Sequence, residues 1–268
     1  MTDWTDHLNN VANQLWRLSP RCREVTDPAH LKLIAHRGAH QPGTHEKVAK
    51  DPLLENTLAA FDRCVTHGLW GIELDVRLTR DNEPVVHHDP ACGRVFQRPD
   101  LVIAETTFDT LRRELPQIPH LYEVIERYGQ RLHLMLELKE SWRERNKQPL
   151  QLQKVLAPLE PEVDYHLLSL EPDHLEGYRF LPTSALVDVA LTNTKDIIRQ
   201  NIALGHGAVA GSFALLTTPL VKQLQQAGKA IGTGQINHPD IMNREAARGV
   251  DWIFSDQPLR LQCQQKSR

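Results

Sequence analysis

Nine short apolar runs, separated for the most part by helix-like stretches, limit what this chain can fold into. They lie at 31–35, 71–76, 84–86, 132–138, 165–168, 184–189, 208–212, 230–236 and 252–254. Helical spacing appears at 56–67, 107–115, 121–128, 195–204, 217–227 and 239–248, and Gly68, Gly129, Gly205, Gly228 and Gly249 follow five of these as stops. Such alternation predicts an α/β fold, a parallel sheet with helices outside. At 268 residues, a single (β/α)8 TIM-type barrel accommodates it. No G-x-G-x-x-G follows the first run, and Gly232-Thr-Gly234 stands alone, so a dinucleotide fold lacks its main signal. Nine runs must fill eight places. The link at 77–83 is too short for a helix, so either 84–86 forms a local hairpin or irregular crossover, or a late run lies outside the barrel. Ahead of the first run, Leu8, Val11, Leu15 and Trp16 give 6–18 the pattern of an amphipathic helix that packs on or caps one end. The expected organisation is an N-terminal helical extension over 1–30 and a single barrel domain over 31–268.

Composition excludes some classes. The formal net charge is −3 with no long basic run, which argues against a nucleic-acid partner. No segment approaches the roughly 20 apolar residues of a membrane span, so no stable membrane insertion is expected. The acidic start, Met1-Thr-Asp-Trp-Thr-Asp-His7, lacks the apolar core of a secretory signal. Cys22, Cys64, Cys92 and Cys263 are scattered, without metal-ribbon spacing, and read as reduced thiols. A cytoplasmic protein is expected. The sequence does not indicate an oligomeric state.

In such barrels chemistry sits at the C-terminal ends of the strands. The first run ends in His36-Arg37-Gly38, the second in Glu73-Leu-Asp75, the third in His87-His88-Asp89, the fourth in Glu137-Leu-Lys139, the fifth in Ser169 and the eighth near Gln235 and Asn237. Residues two apart on a strand share a face. Glu73 and Asp75 therefore point one way, and Ile72, Leu74 and Val76 the other. His133, Met135, Glu137 and Lys139 face the interior, and Leu132, Leu134, Leu136 and Leu138 the helices. Three inward carboxylates face two cations, Arg37 and Lys139. Such a cluster calls for a counter-ion, and carboxylate-only ligation suits a single hard divalent cation, Mg2+ or Ca2+. Adding +2 leaves the pocket at +1, which a phosphodiester monoanion would neutralise. Arg37 offers a bidentate fork for phosphate and Lys139 a point charge. His36 and His88 suit proton transfer near neutral pH. His87 reads as structural.

These motifs, in this order, resemble the glycerophosphodiester phosphodiesterase family: His36-Arg37-Gly38, Glu55-Asn56-Thr57, Glu73-Leu74-Asp75, His88-Asp89, Glu137-Leu138-Lys139, Gln235-Ile236-Asn237 and Ile253-Phe254-Ser255-Asp256-Gln257-Pro258. The likeness spans residues 31 to 258. It implies a barrel, a cation held by Glu73, Asp75 and Glu137, acid–base roles for His36 and His88, and substrate binding by Arg37, Lys139 and Asn237. It also implies hydrolysis of deacylated phospholipids to glycerol 3-phosphate and an alcohol, by way of attack from the substrate's own hydroxyl. Three features depart from the pattern. The 39–54 loop is long and carries His, Lys and Pro; Gly234 stands where a Trp is expected; and Arg94 matches a recurring basic position without the threonines that often follow. Glu55 supports the site in an unassigned role. A lysophospholipase D-like activity is the enzymatic alternative, and a silent barrel serving as a binding protein the alternative of another class.

Overall fold

The computed structural model describes residues 11, 12, 14–16, 31–41 and 53–266. Eleven strands are present among the described residues: β1 (Lys32–Ala35), β2 (Gly71–Leu78), β3 (Pro84–Val86), β4 (Ala91–Cys92), β5 (Arg98–Val102), β6 (His133–Leu138), β7 (Tyr165–Ser169), β8 (Leu186–Ala190), β9 (Ala208–Ser212), β10 (Ala230–Gly234) and β11 (Trp252–Ser255). Eight of them form a parallel sheet in the order β1-β11-β10-β9-β8-β7-β6-β2, and β1 pairs β2 to close it. The fold is a closed (β/α)8 barrel.

All nine apolar runs are strands, and β3 is the one outside the barrel. It folds back antiparallel on β2, with Val76 opposite Val86 and Leu78 opposite Pro84. A hairpin needs few connecting residues, which resolves the short link. It also returns the chain to the strand end, where the His87 N–H donates to the Asp75 carbonyl at 3.0 Å. The short antiparallel pair β4–β5 and the helix Phe108–Glu114 follow, packed around their own small core of Val85, Cys92, Leu101, Ile103, Leu111, Leu115 and Ile118. The β4–β5 pair carries no sequence alternation that would have revealed it.

Alternation along the strands builds two cores. Ile72, Leu74, Val76, Leu134, Leu136 and Leu138 face outward into the layer shared with the helices. Ile34, Met135, Leu168, Val187, Ala210 and Phe254 fill the barrel interior. At the N-terminal end of the barrel the interior is closed by rings. Trp70 stacks on His133 at 4.3 Å, and His166 meets Trp252 edge-on at 4.9 Å. His133 Nε2 and His166 Nδ1 share a hydrogen bond at 2.8 Å. Burial holds both rings neutral, pushing His133 down to about 4 and His166 to about 3.

The helix Leu58–His67 is capped by Thr57 and ends at a left-handed Gly68. Gly129 differs from the expected stop: it stays right-handed, at φ −57°. Close approach explains it, because a Cβ there would lie 2.6 Å from the Ile125 carbonyl oxygen and 2.7 Å from Leu159. Of the expected 6–18 helix, residues 11, 12 and 14–16 are helical; Trp16 packs edge-on to Phe213 with ring centres 6.2 Å apart. The other residues of that segment, Cys22 and residues 42–52 of the long loop lie outside the described residues. Among the described residues, no helix is long and apolar enough to cross a membrane.

Candidate active site

The C-terminal ends of β1, β2, β6 and β11 and the β2–β3 hairpin bring the singled-out residues together. Glu73 and Asp75 on β2 and Glu137 on β6 each offer an oxygen, and these oxygens lie within 4.8 Å of one another. Parallel register does this, since Asp75 pairs directly with Glu137. Glu73 and Asp75 are buried, and Glu73 Oε1 has no hydrogen-bond partner. A buried carboxylate oxygen left bare is costly, and a cation is its natural partner. Burial, with the charge of Asp75 beside it, pushes Glu73 well above the usual carboxylate range. Burial works the same way on Asp75, but Lys139 and Arg37 outweigh it and hold that group low. Three acidic groups converging on one point, one of them reluctant to ionise, could hold a hard divalent ion.

The two expected cations border this cluster. Lys139 Nζ lies 2.8 Å from Asp75 Oδ1 and also bonds Glu137. Arg37 Nε lies 3.2 Å from Asp75 Oδ2, and its Nη1 donates to Glu55 Oε1 at 3.0 Å. The Arg37 backbone is left-handed, at φ 54°, and its N–H donates to Glu73 Oε2 at 3.0 Å. Gly38 makes this turn possible: its φ is 83°, and a Cβ would come within 2.9 Å of Ala60 and Phe61. Asn56 tightens the same corner by donating to Asp75 Oδ2 at 2.7 Å.

Both candidate proton-transfer histidines are tethered by a carboxylate. His36 Nδ1 meets Asp256 Oδ1 at 2.7 Å, and His88 Nδ1 meets Asp89 Oδ1 at 2.7 Å. An anion bonded to Nδ1 places the proton there and leaves Nε2 for chemistry. His36 Nε2 lies 3.9 Å from Glu73 Oε2, at the edge of the acidic cluster. Burial and the Arg37 charge push the His36 pKa down, but the bond and charge of Asp256 prevail and the net direction is up. His87 is buried, and that burial lowers it to about 4, in keeping with a structural ring.

The sequence reading gave no role to Asp256, Asp89 or Asn56. Asn237, expected to hold substrate, also braces Asp256. Its Nδ2 donates to Asp256 Oδ2 at 3.2 Å, and its Oδ1 accepts from the Asp256 N–H and Ser255 hydroxyl at 3.0 Å each. The Gln235 amide rests against His36, 3.0 Å from Nδ1. At Gly234, where an aromatic was expected, an added Cβ would sit 3.0 Å from the Phe254 Cβ, so the Phe254 side chain occupies the adjoining space.

Comparison with known proteins agrees with this arrangement. The model of the glycerophosphoryl diester phosphodiesterase family matches residues 36–260. A glycerophosphodiester phosphodiesterase of Bacillus altitudinis is 29% identical over 251 residues, covering 85% of this chain and 96% of that one. A glycerophosphocholine phosphodiesterase of Rattus norvegicus is 35% identical over 88 residues, which cover 30% of this chain but span only 13% of that protein. Among solved structures, an Oleispira antarctica phosphodiesterase in complex with the product sn-glycerol-3-phosphate superposes with a TM-score of 0.73 at 23% identity, covering 88% of this chain and 97% of that one. A glycerophosphodiester phosphodiesterase of Thermotoga maritima gives 0.69 at 22% identity, with 89% and 99% covered. The family match extends from the first catalytic-face turn to just past the last strand, and on that ground this chain belongs to the glycerophosphoryl diester phosphodiesterase family.

Proposed function

We propose that this chain is a metal-dependent phosphodiesterase that hydrolyses glycerophosphodiesters to glycerol 3-phosphate and an alcohol. The observation that carries the reading is the convergence of Glu73, Asp75 and Glu137, with Arg37 and Lys139 against them and two carboxylate-tethered histidines at the same strand ends. Family membership and the glycerol 3-phosphate bound to the Oleispira antarctica enzyme support it.

Glu73, Asp75 and Glu137 would hold the ion, and Glu73 Oε1, bare and buried, fits that donor set. An all-carboxylate set suits Mg2+ or Ca2+. When bound, the ion supplies positive charge to a phosphoryl oxygen as negative charge builds on it. Arg37 and Lys139 hold the other phosphate oxygens. One of His36 and His88, with Nδ1 occupied by its carboxylate, takes at Nε2 the proton of the attacking hydroxyl. The other, protonated, gives its Nε2 proton to the departing alkoxide, so the alcohol leaves neutral. The two then exchange roles as water opens the cyclic phosphate. Asn237 keeps Asp256 in line and so fixes the plane of the His36 ring. Cys64 and Cys92, buried and unpaired, suit a reducing compartment such as the cytoplasm.

The test is a panel of glycerophosphocholine, glycerophosphoethanolamine, glycerophosphoinositol and lysophosphatidylcholine with Mg2+ or Ca2+, read as glycerol 3-phosphate or lysophosphatidic acid released. The reading predicts faster turnover of at least one glycerophosphodiester. Preference for the lysolipid, or no turnover of any substrate, overturns it.

A further inference from the structure

One guanidinium ties the two sides of the site together. Arg94 Nε donates to Asp89 Oδ2 at 2.7 Å. Its Nη1 and Nη2 form a fork on Glu55, at 2.9 Å to Oε2 and 2.6 Å to Oε1. Glu55 Oε1 also accepts from Arg37 Nη1 at 3.0 Å, and Asp89 Oδ1 meets His88 Nδ1 at 2.7 Å. An unbroken line of charge-assisted hydrogen bonds thus runs from His88 through Asp89, Arg94 and Glu55 to Arg37. Burial opposes ionisation of Glu55, but the Arg94 bonds and the Arg37 charge pull its pKa down to about 2, so it is an anion throughout the neutral range.

Arg94 lies on the short helix Gly93–Phe96, outside the barrel. The small core beside it is apolar and is built without the guanidinium, from Val85, Cys92, Leu101 and Ile103 among others. All three guanidinium nitrogens bond instead to the two carboxylates that lean on the site. We propose that Arg94 is a positioning residue acting on both sides of the reaction centre: through Asp89 it aims Nε2 of His88, and through Glu55 it aims the phosphate-facing fork of Arg37. This rests on the phosphodiesterase reading above. A planar fork is required, because a lysine ammonium at the same place cannot serve Asp89 and both Glu55 oxygens together. Glu55 is then the shared anion that couples the two arms.

The experiment pairs steady-state kinetics on the glycerophosphodiester panel with 15N-resolved imidazole NMR of the substrate-free protein, for wild type, Arg94→Lys, Glu55→Gln and the double variant. In wild type, His88 gives a hydrogen-bonded Nδ1–H signal. Arg94→Lys loses or shifts that signal while that of His36 stays, and kcat falls about 10- to 100-fold, the usual cost of removing a group that orients a reacting residue. Glu55→Gln raises KM through Arg37. The double variant loses less than the product of the two single effects, as expected for members of one network. If Arg94→Lys does not fold, Arg94→Gln carries the same test, since its amide cannot bond Asp89 and both Glu55 oxygens together. An Arg94→Lys protein with wild-type kcat overturns the inference. So does a loss of turnover with the His88 signal unchanged, which would make the arginine a purely structural tie. Failure of the phosphodiesterase reading is seen separately, as wild-type protein that turns over no substrate, and the NMR arm remains decisive in that case.

Discussion

Asp256 Oδ1 lies 2.7 Å from Nδ1 of His36, across 220 residues of chain. That contact turns a strand-end histidine into an oriented ring with Nδ1 committed to the carboxylate and Nε2 turned toward Glu73. Asp256→Asn keeps the shape but offers an amide where an anion stood. Turnover should fall at least about 10-fold with little change in the unfolding midpoint, as a lost tautomer preference requires. Equal kcat for variant and wild type would show that the Asp256 contact does not matter.

His36→Ala and His88→Ala should each cost about 10²-fold or more in kcat, the usual worth of a positioned proton donor or acceptor. His87→Ala should cost far less in kcat and show its effect in stability, because burial keeps His87 neutral and it packs against Phe96 with ring centres 5.8 Å apart. Single-turnover rates beside thermal melts separate the two outcomes.

Much of this was legible in the sequence because the geometry is local. A carboxylate two residues from another on a strand shares its face, and parallel register then sets Asp75 beside Glu137. What could not be read is what depends on distant pairings. Asp256 lies at the far end of the chain from His36, and Arg94 reaches Glu55 across 39 residues. No periodicity announces such pairs. The three-residue run Pro84–Val86 is too short to declare its direction, so its hairpin with β2 became evident only from the register. Asn237 shows a further limit: its bonds to Asp256 and Ser255 join distant parts of the chain, and its residue type does not announce them.

Gly38→Ala should destabilise the protein by about 1–3 kcal/mol, because φ is 83° and the new methyl would meet Ala60 and Phe61 at 2.9 Å. Activity should fall as well, since the turn aims the Arg37 N–H at Glu73. Denaturant melts check the first effect; a variant as stable as wild type contradicts it.

His133 and His166 make stability depend on pH. Their folded pKa values, about 4 and about 3, lie below the unfolded value of 6.5, so between these limits the unfolded chain binds protons that the folded protein excludes. Stability conferred by the two rings is complete above about pH 6.5. It is lost as pH falls toward 4, by up to about 1.4 kcal/mol per pH unit for each ring. Urea midpoints between pH 7 and pH 4.5, compared with those of a His133→Gln, His166→Gln double variant, should show a flatter slope in the variant. Parallel curves would refute the assignment.

Isothermal titration of the metal-stripped protein with Mg2+ and with Ca2+ tests the shared carboxylate site most directly. The account predicts one site per chain, abolished in Glu73→Gln without loss of fold, with turnover absent after chelation and restored by the ion. Unchanged binding in Glu73→Gln, or full turnover after exhaustive chelation, would contradict it.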